Sequence, residues 1–157
     1  MAGYDLPYSP GDAAIIEKMT VSVYSIPTSI PEADGTIEWH STTMILVEVY
    51  GGNKKGIGYT YGHKAIADVI DATLKDLVVG KDVMLAPAFT DDMSKAIRND
   101  GQCGIAMMAV SAVDIALWDL KARVLGLPLV SLLGKVKDGM LLYGSGGFTS
   151  YLDAELE

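Results

Sequence analysis

Apolar and polar positions follow two different periods along this chain, and the change falls near His63. Before it, alternation predicts strands: Met19, Val21 and Val23 occupy one side of a half-buried segment. The segments predicted as strands are residues 18–26, 42–50 and 57–61. Because they follow one another through short connections, they predict an antiparallel meander, with a turn over residues 51–56 between the last two.

Beyond His63 the apolar positions recur at helical spacing. The stripe comprises Ile66, Val69, Ile70, Leu74, Leu77 and Val78. Gly80 follows it as a stop, so one amphipathic helix is predicted here. A second helix is predicted with Thr90 as its N-cap, since acidic residues follow in the first turn.

The third predicted helix is apolar nearly all round and runs from about Ile105 to Leu125, with Gly126 as its cap. Pro128 suits the first turn of a short helix that ends near Gly134. The run from Met140 to Tyr143 predicts a buried strand.

Between the first two strands, residues 27–40 hold two prolines and Gly35. They predict a loop whose length indicates function or mobility rather than a tight turn.

Three strands, then helices, then one further strand indicate an α+β fold. The last strand has no evident partner in the sequence. We therefore expect residues 139–157 to be ordered only where a complementary segment pairs with them.

Composition restricts the class of protein. The 157 residues are 50% apolar and 20% charged, which is typical of one globular domain, and the net charge of -8 argues against nonspecific binding to nucleic acid or anionic membranes. The longest apolar stretch contains Asp114 and Asp119, so no membrane span is predicted. No signal peptide is recognisable, and a cytoplasmic protein is expected.

Isolated residues carry little catalytic signal. His40 and His63 show no metal-ligand spacing, and neither metal ligands nor catalytic residues are assigned. Asp114 needs a hydrogen-bond donor if it is buried, and a structural partner is favoured over a catalytic role. Asp119 and Arg123 are four residues apart and are expected to form at most a weak surface ion pair.

Residues 109–134 carry the strongest pattern in the chain. Its specified positions are Ala109, Ser111, Ala112, Val113, Asp114, Ala116, Leu117, Asp119, Leu120, Ala122, Arg123, Pro128, Leu129, Leu132, Leu133 and Gly134. This pattern resembles the first signature of the mandelate racemase/muconate lactonizing branch of the enolase superfamily. Ala109, Ala112 and Ala116 also form a small-residue stripe that allows another element to approach closely.

The resemblance implies an enolase-superfamily capping domain, a three-stranded meander with helices, in residues 1–134, and the first strand of a (β/α) barrel in residues 135–157. It implies a Mg²⁺-dependent lyase or isomerase that removes the proton α to a carboxylate, of acid-sugar dehydratase or racemase type. The metal ligands and bases of the family lie on later strands. The implied partners are a small carboxylate substrate, the remaining barrel segment or a second chain, and further copies in a homo-oligomer. The alternative is a non-catalytic, free-standing α+β binding or assembly module.

The resemblance also implies substrate contacts. Residues 27–40 resemble the first specificity loop of the capping domain, in which Trp39 and His40 are weaker candidates. Tyr59 and Tyr61 fall on the second such loop, and Tyr61 best matches the substrate-facing position. Ser145 corresponds to a polar position at the end of the first barrel strand, and an ordinary turn serine is an equal alternative.

Overall fold

The computed structural model describes residues 14–144, 148–152 and 154. Three strands, β1 (Ile16–Ala33), β2 (Glu38–Gly51) and β3 (Lys54–Tyr61), form one antiparallel sheet in the order β1-β2-β3. The predicted meander is therefore confirmed. The connection between β2 and β3 is shorter than predicted, because β3 begins at Lys54.

The predicted loop over residues 27–40 is wrong, since β1 and β2 continue through it as a hairpin. The strands pair from Ile16 opposite Gly51 to Ala33 opposite Glu38. A register shift between Pro27 and Glu32 leaves extra residues on β1. Because β1 is an edge strand and the prolines lie at this bulge, their missing N–H groups cost the sheet little.

The hairpin ends in a turn organised by one side chain. The Asp34 Oδ1 atom accepts hydrogen bonds from the backbone N–H of Thr36 at 2.7 Å and of Ile37 at 2.9 Å. The Thr36 hydroxyl donates to the same oxygen at 2.7 Å. Aspartate favours such turns because its short side chain replaces a backbone acceptor.

The predicted first helix forms in three parts: α1 (Ala65–Val69), a π-helical turn (Ile70–Leu74) and α2 (Lys75–Val78). Its fully buried side chains are Ile66, Ile70, Leu74 and Val78. A step of four residues advances about 400° in an α-helix, so a stripe with this spacing drifts around the helix. The π turn advances less per residue and returns the stripe to the core.

A 3₁₀ turn (Val83–Leu85) leads into α3 (Ala86–Ala96), followed by α4 (Ile105–Leu125) and α5 (Leu129–Leu133). Gly126 adopts the left-handed conformation at the end of α4, as predicted for a cap. The prediction of Thr90 as an N-cap is wrong, because α3 starts four residues earlier with a proline in its first turn.

Helix α4 lies directly on the backbone of β3. A Cβ atom on Gly58 would stand 2.1 Å from the Ala112 carbonyl oxygen, and one on Gly56 would stand 2.2 Å from that of Ala116. These distances are far below van der Waals contact. The predicted small-residue stripe thus meets two glycines, which together set a close helix–sheet packing.

Both aspartates of α4 have structural partners. Asp114 Oδ1 accepts a hydrogen bond from the Thr90 hydroxyl and so joins α4 to α3. Asp119 Oδ2 accepts from the Ile57 backbone N–H at 2.9 Å and from Arg123 Nε at 2.8 Å. Because β3 is an edge strand, Asp119 supplies an acceptor to a backbone group that has no neighbouring strand.

Two predictions of burial fail away from this core. Val23 is 45% exposed although Met19 is only 1% exposed, because the helices cover only the first part of β1. Residues 140–143 do not form the predicted strand, and Leu141 is 98% exposed. No described strand runs alongside them, and a strand without a neighbour has no partners for its backbone groups.

Candidate functional site

A cleft of about 330 Å³ lies at the outer end of the sheet, between the bulge of β1 and the end of β3. Its described lining residues are Ile26, Pro27, Thr28, Glu32, Trp39, Thr42 and Tyr61. We call it the tip cleft. The β1 bulge lies between Pro27 and Glu32, so it carries Thr28 beside the part of β2 that holds Thr42, and pairing of β2 with β3 brings Tyr61 to the same cleft.

Trp39 forms the wall between the tip cleft and a C-terminal segment. Its indole Nε1–H donates to Glu32 Oε2 at 2.7 Å. Its ring meets the Phe148 ring edge-on with centroids 5.4 Å apart, and Phe148 meets Tyr151 in the same way at 5.5 Å. Edge-on contacts of this kind suit the aromatic quadrupole and hold Trp39 in one orientation.

Residues 148–151, which we call the clasp, also bind the hairpin through polar groups. The Thr149 backbone N–H donates to the Ala33 carbonyl at 3.0 Å, and its hydroxyl donates to the same oxygen at 2.9 Å. The Ser150 hydroxyl donates to the Pro31 carbonyl at 2.6 Å. The clasp therefore contacts both the bulge and the strand end beside the turn.

Electrostatically the hairpin turn favours an ionised Asp34. The hydrogen bond from the Thr36 hydroxyl, followed by those from the Ile37 and Thr36 amides, lowers the pKa of the Asp34 carboxyl below its ordinary value.

The structure brings two of the predicted substrate residues together and separates others. Trp39 and Tyr61 line the tip cleft. Tyr59 is not among its lining residues, but its ring lies against that of Tyr61 with centroids 5.9 Å apart. His40 is not among the lining residues, and its Nε2 atom lies 3.3 Å from Glu38 Oε1. Ser145 lies outside the described residues.

Sequence reasoning missed Glu32 and Thr28. The Thr28 hydroxyl oxygen is buried and makes no hydrogen bond to any residue that the structure describes. Neither residue had a signal in the sequence, because their position depends on the size of the β1 bulge. The hydrogen bond between Glu32 and Trp39 follows only from their pairing in the register beyond it.

Within residues 14–144, 148–152 and 154, no three acidic, histidine or cysteine side chains gather as metal ligands would. The described residues therefore supply no ligand set that fits Mg²⁺. Over the same residues, every helix is too short or too polar to cross a bilayer.

The structure is an α+β domain with a three-stranded antiparallel sheet, and the tip cleft lies at the outer end of its β1–β2 hairpin. The family model for the mandelate racemase / muconate lactonizing enzyme N-terminal domain matches residues 16–134. The chain belongs to this family, as its signature helix indicated.

Curated relatives are longer than this chain. A protein named putative L-rhamnonate dehydratase, from Caldivirga maquilingensis, is 41% identical over 104 residues, covering 65% of this chain and 26% of the relative. L-talarate/galactarate dehydratase from Salmonella typhimurium is 31% identical over 144 residues, covering 85% and 36%. The chain thus spans about a quarter to just over a third of the length of these relatives.

Solved structures agree on the fold. A mandelate racemase/muconate lactonizing enzyme-like protein from Rubrobacter xylanophilus is 51% identical with a TM-score of 0.86, covering 90% of this chain and 40% of that one. L-Talarate dehydratase from Polaromonas sp. JS666, complexed with Mg and L-glucarate, is 26% identical with a TM-score of 0.74, covering 92% and 42%.

Proposed function

We propose that this chain supplies the substrate-covering domain of a Mg²⁺-dependent enolase-superfamily lyase or isomerase that removes the proton α to the carboxylate of an acid sugar. The tip cleft carries the proposal, because it joins Trp39 and Tyr61 at the open end of a sheet of this family. Relatives that include acid-sugar dehydratases support the substrate class.

Within that enzyme, the domain of residues 1–134 binds and orients the part of the substrate remote from the reacting carbon. Trp39 and Tyr61 offer aromatic faces to the substrate and exclude water from one side of it. Tyr59 supports Tyr61 through their ring contact. His40 and Ser145 remain candidates for contact at the margin of the site.

Residues 135–157 are proposed to begin the barrel, whose later strands would hold the metal. Mg²⁺ supplies positive charge that stabilises the charge developing on the substrate carboxylate. The exposed apolar side chains of residues 140–143 would then be covered by neighbouring strands. A homo-oligomer, which the family resemblance implies, is part of the proposal.

The test is to assay the complete gene product with Mg²⁺ and a panel of sugar acids in D₂O. For at least one sugar acid, we expect the α-proton signal in NMR spectra to disappear. Chelation of the metal should prevent that disappearance. Tyr61→Ala should raise KM severalfold, because it removes the aromatic face from the cleft. The control Tyr24→Ala removes the ring of a tyrosine that is 46% exposed on β1 and does not line the cleft, and it should leave KM unchanged. Absence of Mg²⁺-dependent turnover across the panel would favour the non-catalytic module instead.

A further inference from the structure

The charge of the tip cleft is set by Glu32. Among the described residues that line the cleft, this carboxylate is the charged group, and the others are apolar side chains, hydroxyl-bearing side chains and an indole. Neither lysine nor arginine is among them. An anionic group of a ligand in the cleft would be repelled by Glu32. No cationic side chain among the described lining residues would offset that repulsion.

The remaining polar groups suit an uncharged, hydroxylated ligand. Thr28 and Thr42 line the cleft, and a threonine hydroxyl can both donate and accept hydrogen bonds. The buried Thr28 oxygen lacks a partner among the described residues, although buried polar atoms normally have one. That oxygen is shielded from solvent in this structure, so a ligand hydroxyl would reach it only if this wall of the cleft moved.

The hydrogen bond from Trp39 orients Glu32 but leaves part of its acceptor capacity unused. One of its oxygens accepts the indole N–H at 2.7 Å. A carboxylate has about four acceptor positions, so Glu32 can also accept hydrogen bonds from sugar hydroxyls. The rings of Trp39 and Tyr61 provide apolar surface for the C–H faces of such a ligand.

The same groups disfavour an anionic ligand for physical reasons. Moving a carboxylate out of water into the cleft removes hydration that no cation replaces. Repulsion from Glu32 adds to this cost, and like-charge contacts are an effective means of rejecting a competing ligand. The cleft therefore distinguishes ligands by the charge at the end they insert.

We infer that the tip cleft takes the neutral, hydroxylated end of a sugar acid with a single carboxylate, and that Glu32 rejects sugar acids with a carboxylate at each end. This inference rests on the proposed function and narrows its substrate class. Glu32 acts as a specificity-determining residue, because it contacts the end of the substrate remote from the reacting carbon.

The test compares matched substrates in the complete gene product with Mg²⁺. Galactonate and galactarate differ only at the terminal carbon, as do gluconate and glucarate. For each pair that is consumed, kcat/KM should favour the single acid by about tenfold or more. High salt should reduce that preference, because it screens repulsion between charges.

Glu32→Gln removes the charge and keeps an oxygen that can accept from Trp39. It should lower the preference about tenfold, mainly by lowering KM for the double acid. Glu32→Asp keeps the charge and should keep the preference, even if it loosens the hydrogen bond to Trp39. The matched control is Glu17→Gln, which removes an exposed carboxylate at the opposite end of β1, and it should leave the preference unchanged.

The possible results separate the inference from the proposed function. Turnover that favours the double acids, or a preference unaltered in a folded Glu32→Gln protein, would overturn the role of Glu32 alone. A preference lost equally in Glu32→Asp would also overturn it, because geometry rather than charge would then matter. If no sugar acid of either kind is consumed, the proposed function fails, and this inference fails with it.

Discussion

The two ends of the β1–β2 hairpin are stabilised by different interactions. At the base, Ile45, Val47 and Val49 are fully buried beneath the helices. At the tip, half-buried Trp39 is held by Glu32 and by the clasp. The stabilisation from apolar burial grows with the buried area, so the base cannot change without losing much of it. At the exposed tip, a few hydrogen bonds can break and re-form without unfolding the protein. The base is therefore expected to be rigid and the tip to tolerate local change.

The largest effect should come from filling the space between β3 and α4. Gly58→Ala puts a Cβ where it would lie 2.1 Å from a backbone carbonyl oxygen, so α4 must shift. We expect a loss of about 3 kcal/mol in the free energy of unfolding, at the upper end of the cost of overpacking. Urea denaturation followed by circular dichroism measures it.

Gly35→Ala is the control at the tip, because a Cβ there meets nothing within 4 Å. The unfolding free energy should change by less than about 0.5 kcal/mol. Equal losses in the two variants would contradict the division into a rigid base and an adaptable tip.

Asp119→Ala should cost less, about 1–2 kcal/mol, because it leaves the Ile57 N–H without its acceptor. The matched variant is Asp91→Ala, which removes an aspartate that pairs with Lys95 four residues along an exposed helix face. That loss should be much smaller, because an ion pair at the surface is screened by solvent. If the two variants unfold at the same urea concentration, the bond from α4 to the edge strand contributes nothing beyond a surface ion pair.

These sites also show what the sequence predicts. The small side chains at Ala112 and Ala116 predicted a close approach to α4, but not that Gly56 and Gly58 would face them. Asp119 was assigned a surface pair with Arg123, which forms, but its bond to Ile57 spans 62 positions and has no local signal. Periodicity specifies which face of an element is buried, not what covers it.

The tip was harder to predict than the base for a related reason. Pro27 and Pro31 suggested a loop, whereas a bulge on an edge strand accommodates both. Which residue lies opposite Trp39 depends on how many residues the bulge contains, and composition does not specify that number. Trp39 and Tyr61 were selected by family resemblance, while Glu32 emerged only from the folded register.

Phe148→Ala is expected to alter the tip without altering the base. It removes the ring that packs edge-on against Trp39. In a Trp118→Phe background, where Trp39 is the remaining tryptophan, emission should move to longer wavelength because the indole gains contact with water. The unfolding free energy should change by less than about 0.5 kcal/mol relative to that background. A large loss of stability would instead make the clasp part of the core.

The smallest effect concerns pH at the hairpin turn. The folded-state pKa of Asp34 lies below its ordinary value of 3.8, chiefly through the Thr36 hydroxyl. A depressed pKa means that the ionised form stabilises the turn, so this contribution is complete above the unfolded-state pKa and is lost as the pH falls through the folded-state value. Amide exchange at Thr36 and Ile37, followed by NMR between pH 5 and pH 2, should therefore show reduced protection at the acid end, beyond the intrinsic change in exchange rate.

Asp34→Asn keeps an acceptor oxygen that does not titrate, and its turn should lose no protection over the same range. A carboxyl signal of Asp34 that titrates above 3.8 would show that these hydrogen bonds do not favour the ionised form and that the turn holds the tip by its backbone alone.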